Sequence, residues 1–251
     1  MNQVEQEEPS QNFRRAWQAA GRHIQQQGQG GVNWIRADLN PPMAEHLSFR
    51  IGNKLFYIFI EAAEFSYERG CSLFLKVAKE ATAIPCIMPM TEHLSEFKPS
   101  IDGWGLQHAE TKKNINPLEL VTDEPIEISD WELHDFAIQV VRGGLEKEGK
   151  NVFSAQSSLH IDPSIWFKES GKEFWVVVRA VRYPEKDADI PKNIQDIRDS
   201  CSHMGEVGYF ASVAVGNSDD PFDPDAKENG NFLPLYRGHG MFVRYEGINE
   251  V

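Results

Sequence analysis

The sequence predicts an α/β (α+β) protein of two tandem, similar halves, each running helix, strand, strand, strand, helix, strand. Three observations carry that prediction. Hydrophobic periodicity switches between helical and strand-like in the same order twice. Landmark residues recur at steady offsets. Both halves close on the same glycine pair: residues 99–106 read Pro99-Ser-Ile-Asp-Gly103-Trp-Gly105-Leu106, and residues 234–241 read Pro234-Leu-Tyr-Arg-Gly238-His-Gly240-Met241, in register at an offset of 135 (234 − 99). Upstream, Lys54–Ile60 matches Lys172–Val178 at 118, Asn40-Pro41 matches Asp162-Pro163 at 122, and Ile84–Met90 matches Val207–Val213 at 123. The offset then grows by 12, which places an acidic insertion at 218–230. Order and landmarks together read as an internal duplication. The expected architecture is two mixed sheets with helices packed on them, related by a pseudo-twofold axis.

The first half follows a polar stretch, residues 1–10, expected to be a disordered tail. Phe13, Trp17, Ala20 and Ile24 fall at helical spacing, and the glutamine- and glycine-rich 25–31 ends that helix. Val32–Leu39 reads as a strand, broken by Asn40-Pro41-Pro42. Leu47–Ile51 and Leu55–Ile60 make a hairpin around Gly52-Asn53. Its second arm is apolar without alternation, the mark of a strand covered on both faces. From Glu64 to Thr82 the period is helical again, with Phe74, Val77, Ala78 and Ala81 on one face. Ile84–Met90 is a short apolar strand whose two prolines suit a sheet edge or an irregular end. Residues 91–128 read as mixed and loop-rich. The junction falls near 122–128, giving halves 11–122 and 126–251.

The second half opens on Ser129-Asp-Trp-Glu132, the Ser-x-x-Glu form of a capping box. Leu133, Phe136, Ala137, Val140 and Val141 form the buried stripe of that helix. Val152–Ile161 reads as a strand, and Ile165–Lys168 with Phe174–Val181 as a hairpin around Ser170-Gly171. Pro191 suits the first turn of a helix whose inner face is Ile194, Ile197, Cys201 and Met204. Tyr209–Val215 is a core strand and Met241–Tyr245 a terminal one.

Composition narrows the function. There are 25 basic against 38 acidic residues, a net charge of −13. That argues against nucleic acid or an anionic membrane as partner. Hydrophobic residues are 41%, with 15 Phe and 6 Trp, enough to give two domains of ordinary size real cores. The N-terminus lacks the basic and apolar regions of a signal peptide, and no apolar run approaches the ~20 residues of a membrane helix. Cys71, Cys86 and Cys201, an odd number in unlike surroundings, read as reduced thiols of a cytoplasmic protein. No cofactor is expected, and the expected partner is a protein or a second copy.

The order α-β-β-β-α-β in each half resembles the core of restriction-endonuclease-like nucleases, the PD-(D/E)XK fold. That resemblance implies an Asp on the second strand and an acid-x-Lys triplet ending the third, with the carboxylates holding Mg²⁺ and the Lys positioning water. Here the triplet positions read Glu61-Ala62-Ala63 and Arg179-Ala180-Val181. The first keeps the acid without the Lys; the second has neither. Asp38 and Asp162 are the candidate partner acids, Asp162 also being a natural turn former before Pro163. Both sites therefore read as degenerate. The chain is also similar in size, charge and element order to secretion-chaperone-like α/β domains, which implies a protein-binding adaptor.

Three further candidates need weighing. Arg237-Gly238-His239-Gly240 could meet an anion, but the first copy has Asp102 and Trp104 at the Arg and His positions, which favours a backbone turn. Asp219, Asp220, Asp223 and Asp225 offer metal-binding oxygens, but Pro221 and Pro224 interrupt them and the central Gly of a calcium loop is missing. Glu61 and Arg179, at equivalent strand ends, would pair if the halves met about a twofold axis. The scattered histidines and cysteines form no HxxxH or CxxC pattern. The resulting expectation is a non-catalytic binding or assembly protein. The alternatives are a metal-dependent nuclease-like hydrolase and a secretion-chaperone-like adaptor.

Overall fold

The computed structural model describes residues 9–37, 46–62, 67–205 and 207–251. The chain divides into two compact units, Met1–Pro125 and Ile126–Val251, and each is α+β with a mixed sheet.

In the first unit, helix α1 (Gln11–Gln27) starts where the Ser10 hydroxyl accepts from the Phe13 N–H. Pro9 is buried and its carbonyl accepts from Arg14 Nε at 3.1 Å. Residues 9 and 10, expected in the tail, thus form the helix start; residues 1–8 lie outside the described residues. Strands β1 (Asn33–Arg36), β2 (His46–Ile51) and β3 (Lys54–Glu61) pair antiparallel in order. The expected break at Asn40-Pro41 lies outside the described residues. β3 is buried from Leu55 to Ile60. Phe56, Ile58 and Ile60 join the core under α1, while Tyr57 and Phe59 meet Phe74 of helix α2 (Tyr67–Glu80) on the other face. That two-sided cover is why the strand reads as a continuous apolar run.

Helix α2 crosses over to strand β4 (Ile84–His93), which runs parallel to β3. β4 is central, not the edge its prolines suggested. Pro85 and Pro89 turn their carbonyls to Ala109 N and Ser100 N, both at 2.8 Å. A residue's N–H and C=O share one side of a strand, so the missing N–H groups face away from β3. The stretch read as mixed and loop-rich carries three short strands and a one-turn helix. β4 turns at Leu94-Ser95, both at positive φ, into strand β5 (Glu96–Pro99). Strands β6 (Leu106–His108) and β7 (Asn114–Ile115) and a short helix α3 (Pro117–Leu120) follow.

The second unit repeats the plan. Helix α4 (Asp130–Lys147) makes the expected capping box: Ser129 Oγ accepts from Glu132 N, and Glu132 accepts from Ser129 N. Strands β8 (Asn151–Ala155), β9 (Ile165–Glu169) and β10 (Lys172–Arg182) pair antiparallel. Helix α5 (Ile194–Cys201) leads to β11 (Val207–Asn217), parallel to β10. A one-turn helix α6 (Ala226–Asn229) and strands β12 (Met241–Tyr245) and β13 (Asn249–Glu250) complete it, both strands pairing with β11. Two expectations need correction. β8 stops at Ala155, because the Gln156 amide turns the chain by bonding Ile161 O at 2.6 Å. Met204 lies past the end of α5 and is exposed.

The likeness of the two units extends to strand register. Ile51 pairs with Lys54 and Glu169 with Lys172; Phe56 pairs with Ile84 and Phe174 with Val207. Each unit has its ladder irregularity at the same place, after Trp34 in one and Val152 in the other. The glycine pairs also lead to equivalent strands, β6 on β4 and β12 on β11. Among the described residues, no helix is long and apolar enough to cross a membrane.

Candidate functional site

Three arginines gather carboxylates in the second unit. Arg179 on β10 grips Asp162, just ahead of β9, with two parallel bonds of 2.9 and 2.5 Å. Such a fork matches guanidinium to carboxylate geometry and is the strong form of this pair. Arg237 reaches Glu132 with Nε at 2.9 Å and Nη2 at 2.7 Å, and their side chains are only 3% and 8% exposed. Arg182 bonds Asp130 at 2.6 Å and Ile128 O at 2.9 Å. Beside them His134 is 4% exposed, and among the described residues its Nε2 has no hydrogen-bond partner. Burial, then the Arg179 charge, lowers its pKa to about 4, against a partial offset from Asp162. Asp135 accepts from the Ser157 hydroxyl.

This arrangement revises the sequence-derived site residues. Asp38 lies outside the described residues. Glu61 ends β3 in the first unit, and Arg179, its counterpart in the second, is paired with Asp162 of its own unit. Among the described residues, no three His, Cys, Asp or Glu side chains come together to hold a metal ion. Arg237 is not a ligand-facing cation: it points inward, and its own N–H donates to Ile126 O at 2.9 Å. Gly238, at φ 88°, makes the turn that turns it inward, and His239 stays exposed. Gly240 O accepts from Ser218 N at 3.0 Å, which ties the turn to the insertion.

The insertion is organised by its own carboxylates. Asp220 is buried and accepts from Phe222 N at 2.7 Å and Leu233 N at 2.5 Å. Asp223 accepts from Asp225 N at 3.0 Å and from Asn231, and the backbone bond first, then Asn231, lowers its pKa. These oxygens are spent on the loop's own donors. The metal reading of Asp219, Asp220, Asp223 and Asp225 therefore finds no assembled site.

What the insertion does build is a groove of about 840 Å³. Helix α5 has only eight residues and covers Trp175, Val177 and Phe210. Farther along the same sheet face, Ala214 and Gly216 floor the groove instead. Phe222, at φ 53°, packs its ring between Tyr183 at 5.1 Å and Phe242 at 5.6 Å. It lies so close over Gly216 that a Cβ there would sit 2.9 Å from the ring. Tyr183 is pinned by its hydroxyl to Asp223 O at 2.6 Å. Lys227–Glu185 at 2.6 Å and Arg244–Asp187 at 3.5 Å line the rim. The growing offset between the copies pointed to the insertion; nothing in the sequence showed that three distant aromatics would converge on it. A smaller polar groove of about 460 Å³ lies in the first unit between α1 and β5.

No curated protein and no solved structure matches this chain. The profile of a domain of unknown function, DUF8840, matches residues 131–251, a stretch that holds the Asp162–Arg179 and Glu132–Arg237 pairs and every residue of the larger groove.

Proposed function

We propose that this protein is a non-catalytic binding or assembly protein of the cytoplasm, built by internal duplication, whose working surface is the groove on the second unit. The observation that carries this reading is that groove. The segment by which the second copy exceeds the first folds a strained, non-glycine residue, Phe222, into an aromatic wall between Tyr183 and Phe242. Backbone strain of that kind is a cost that persists where the surroundings enforce it, and it clusters at functional sites. A mostly apolar concavity with a few polar groups is the common form of a binding site. The Asp162–Arg179 pair supports the non-catalytic part, since the cation occupies the carboxylate that metal-assisted hydrolysis would require. The units are read in the same spirit as degenerate relatives of restriction-endonuclease-like nucleases, on the strength of the αβββαβ order and the positions of Asp162 and Arg179.

The test sets the two classes against each other. With Mg²⁺ or Mn²⁺ and DNA or RNA, the expected result is no cleavage above that of an Asp162→Ala variant. A photo-crosslinking phenylalanine analogue at position 242 is expected to give a discrete protein adduct in cells that make this chain, and the same analogue at exposed Leu94 is expected to give none. Cleavage that Asp162→Asn abolishes would overturn the reading.

A further inference from the structure

Resting on that groove reading, we propose that β12 is a docking edge that takes an extended segment of a partner protein as an added strand, with one bulky apolar side chain of the segment seated in the groove. β12 ends the second unit's sheet beyond β11. Which of its backbone groups face outward follows from its neighbours. Gly216 lies opposite Phe242 and Ala214 opposite Arg244. Ser218 N donates to Gly240 O at 3.0 Å, whereas Val215 O turns the other way, to Tyr183 N at 2.8 Å. A residue's N–H and C=O share one side of a strand, and the sides alternate along it. Phe242 and Arg244 are therefore bonded to β11, and Met241, Val243 and Tyr245 present their N–H and C=O groups outward. Among the described residues, no other backbone group meets those three.

The edge carries little of the usual protection against pairing. β12 reads Met-Phe-Val-Arg-Tyr, with no proline and no lysine, and its one charge, Arg244, is engaged by Asp187 and Glu246. Its irregularity comes only afterwards, where one extra residue separates the pairs Tyr245–Val213 and Asn249–Phe210. Phe242 is 58% exposed on the groove face and Val243 40% on the other. An added strand would gain main-chain bonds along the outer edge and a place for alternate side chains beside Phe242, the two parts of strand-addition recognition.

The occupant follows from area and charge. Two copies of this chain would each bring a net charge of −13. A five-residue strand paired with its own copy buries far less than the ~1,200 Å² of a stable interface, so a second copy is not the occupant. Apart from Lys186, the charges lining the groove are paired, Lys227 with Glu185 and Arg244 with Asp187, so the aromatic wall beside Phe242 suits an apolar side chain. The acidic chain around it favours basic residues flanking that side chain.

The test uses the full chain and a displayed library of random nine-residue peptides. Enriched peptides are expected to carry a bulky apolar residue with Lys or Arg on either side. Val243→Pro removes an outward N–H and leaves the Phe242 and Arg244 ladder, as an edge proline can. It is expected to weaken binding roughly tenfold, the worth of one or two hydrogen bonds, with the melting temperature little changed. A selected peptide N-methylated at alternate residues alters nothing in the protein; it is expected to lose binding in one phase of methylation and keep it in the other. Loss on Phe242→Ala without response to Val243→Pro or N-methylation keeps the groove reading and overturns strand addition. Peptides indifferent to all three changes, or no enrichment, overturn both.

Discussion

Phe49 and Phe56 stack across the β2–β3 hairpin with ring centroids 5.2 Å apart, and the pair is repeated 118 residues later, where Phe167 and Phe174 stack across β9–β10 at the same 5.2 Å. In both hairpins the two rings sit on directly opposed residues. A one-residue slip would send one ring to the other face of the sheet, so the stack fixes register as well as adding about 1 kcal/mol beyond its buried area. What the two units share is thus a paired hairpin in a defined register.

The two stacks differ in burial, and their truncation should differ accordingly. Phe56 is fully buried, whereas Phe174 is half-buried. Phe56→Ala is expected to destabilise the first unit by about 3–5 kcal/mol. Phe174→Ala is expected to cost the second unit roughly half of that, since less area leaves water-free surroundings. Urea unfolding followed by hydrogen exchange on peptides from each unit separates the two. Equal losses would contradict the difference in burial.

Much of the fold was legible because local signals and tertiary context agree. The Ser129–Glu132 capping box, the two-residue hairpin turns and the continuous apolar run of β3 each have one physical cause, and each forms as read. The β4–β5 turn was not legible, because Leu94 and Ser95 adopt positive φ without glycine or asparagine to mark them. Nor was the inward turn of Arg237. Glu132 is both the cap of α4 and the counter-ion of a residue 105 positions away, and only the first role is local. The groove was hidden for the same reason: Tyr183, Phe222 and Phe242 meet only once β10, β11 and β12 are paired.

Breaking the Glu132–Arg237 pair should cost more than replacing it. Arg237→Ala leaves a buried carboxylate without its counter-ion and is expected to destabilise the second unit by about 3–5 kcal/mol. The double change Glu132→Leu with Arg237→Met is expected to recover most of that, less about 1 kcal/mol for the lost cap. The first unit provides the precedent: Phe13 holds the same third position after its Ser10 cap and is fully buried in the core. Thermal and urea unfolding of the two single variants and the double variant give the coupling energy. Strict additivity would mean that the pair does not act as a unit.

His134 should make the second unit acid-sensitive over a defined window. Its folded pKa is about 4 against an ordinary 6.5, lowered first by burial and then by the Arg179 charge. The folded state keeps the ring neutral at pH values where the unfolded chain binds a proton. Its contribution to stability is therefore whole above pH 6.5 and lost as pH falls towards about 4. At ~1.4 kcal/mol per pH unit, the loss across that window is at most about 3 kcal/mol. His134→Gln keeps a polar side chain and removes the titration. Stability measured from pH 7.5 to 4 should fall less steeply in the variant, the gap opening below pH 6.5. Carboxylates that protonate in the acid part of the window are common to both proteins, so the difference between the curves isolates the histidine. Parallel curves would mean that His134 takes up its proton in the folded protein as easily as in the unfolded chain, and that the ring's buried, unbonded Nε2 is not held away from water.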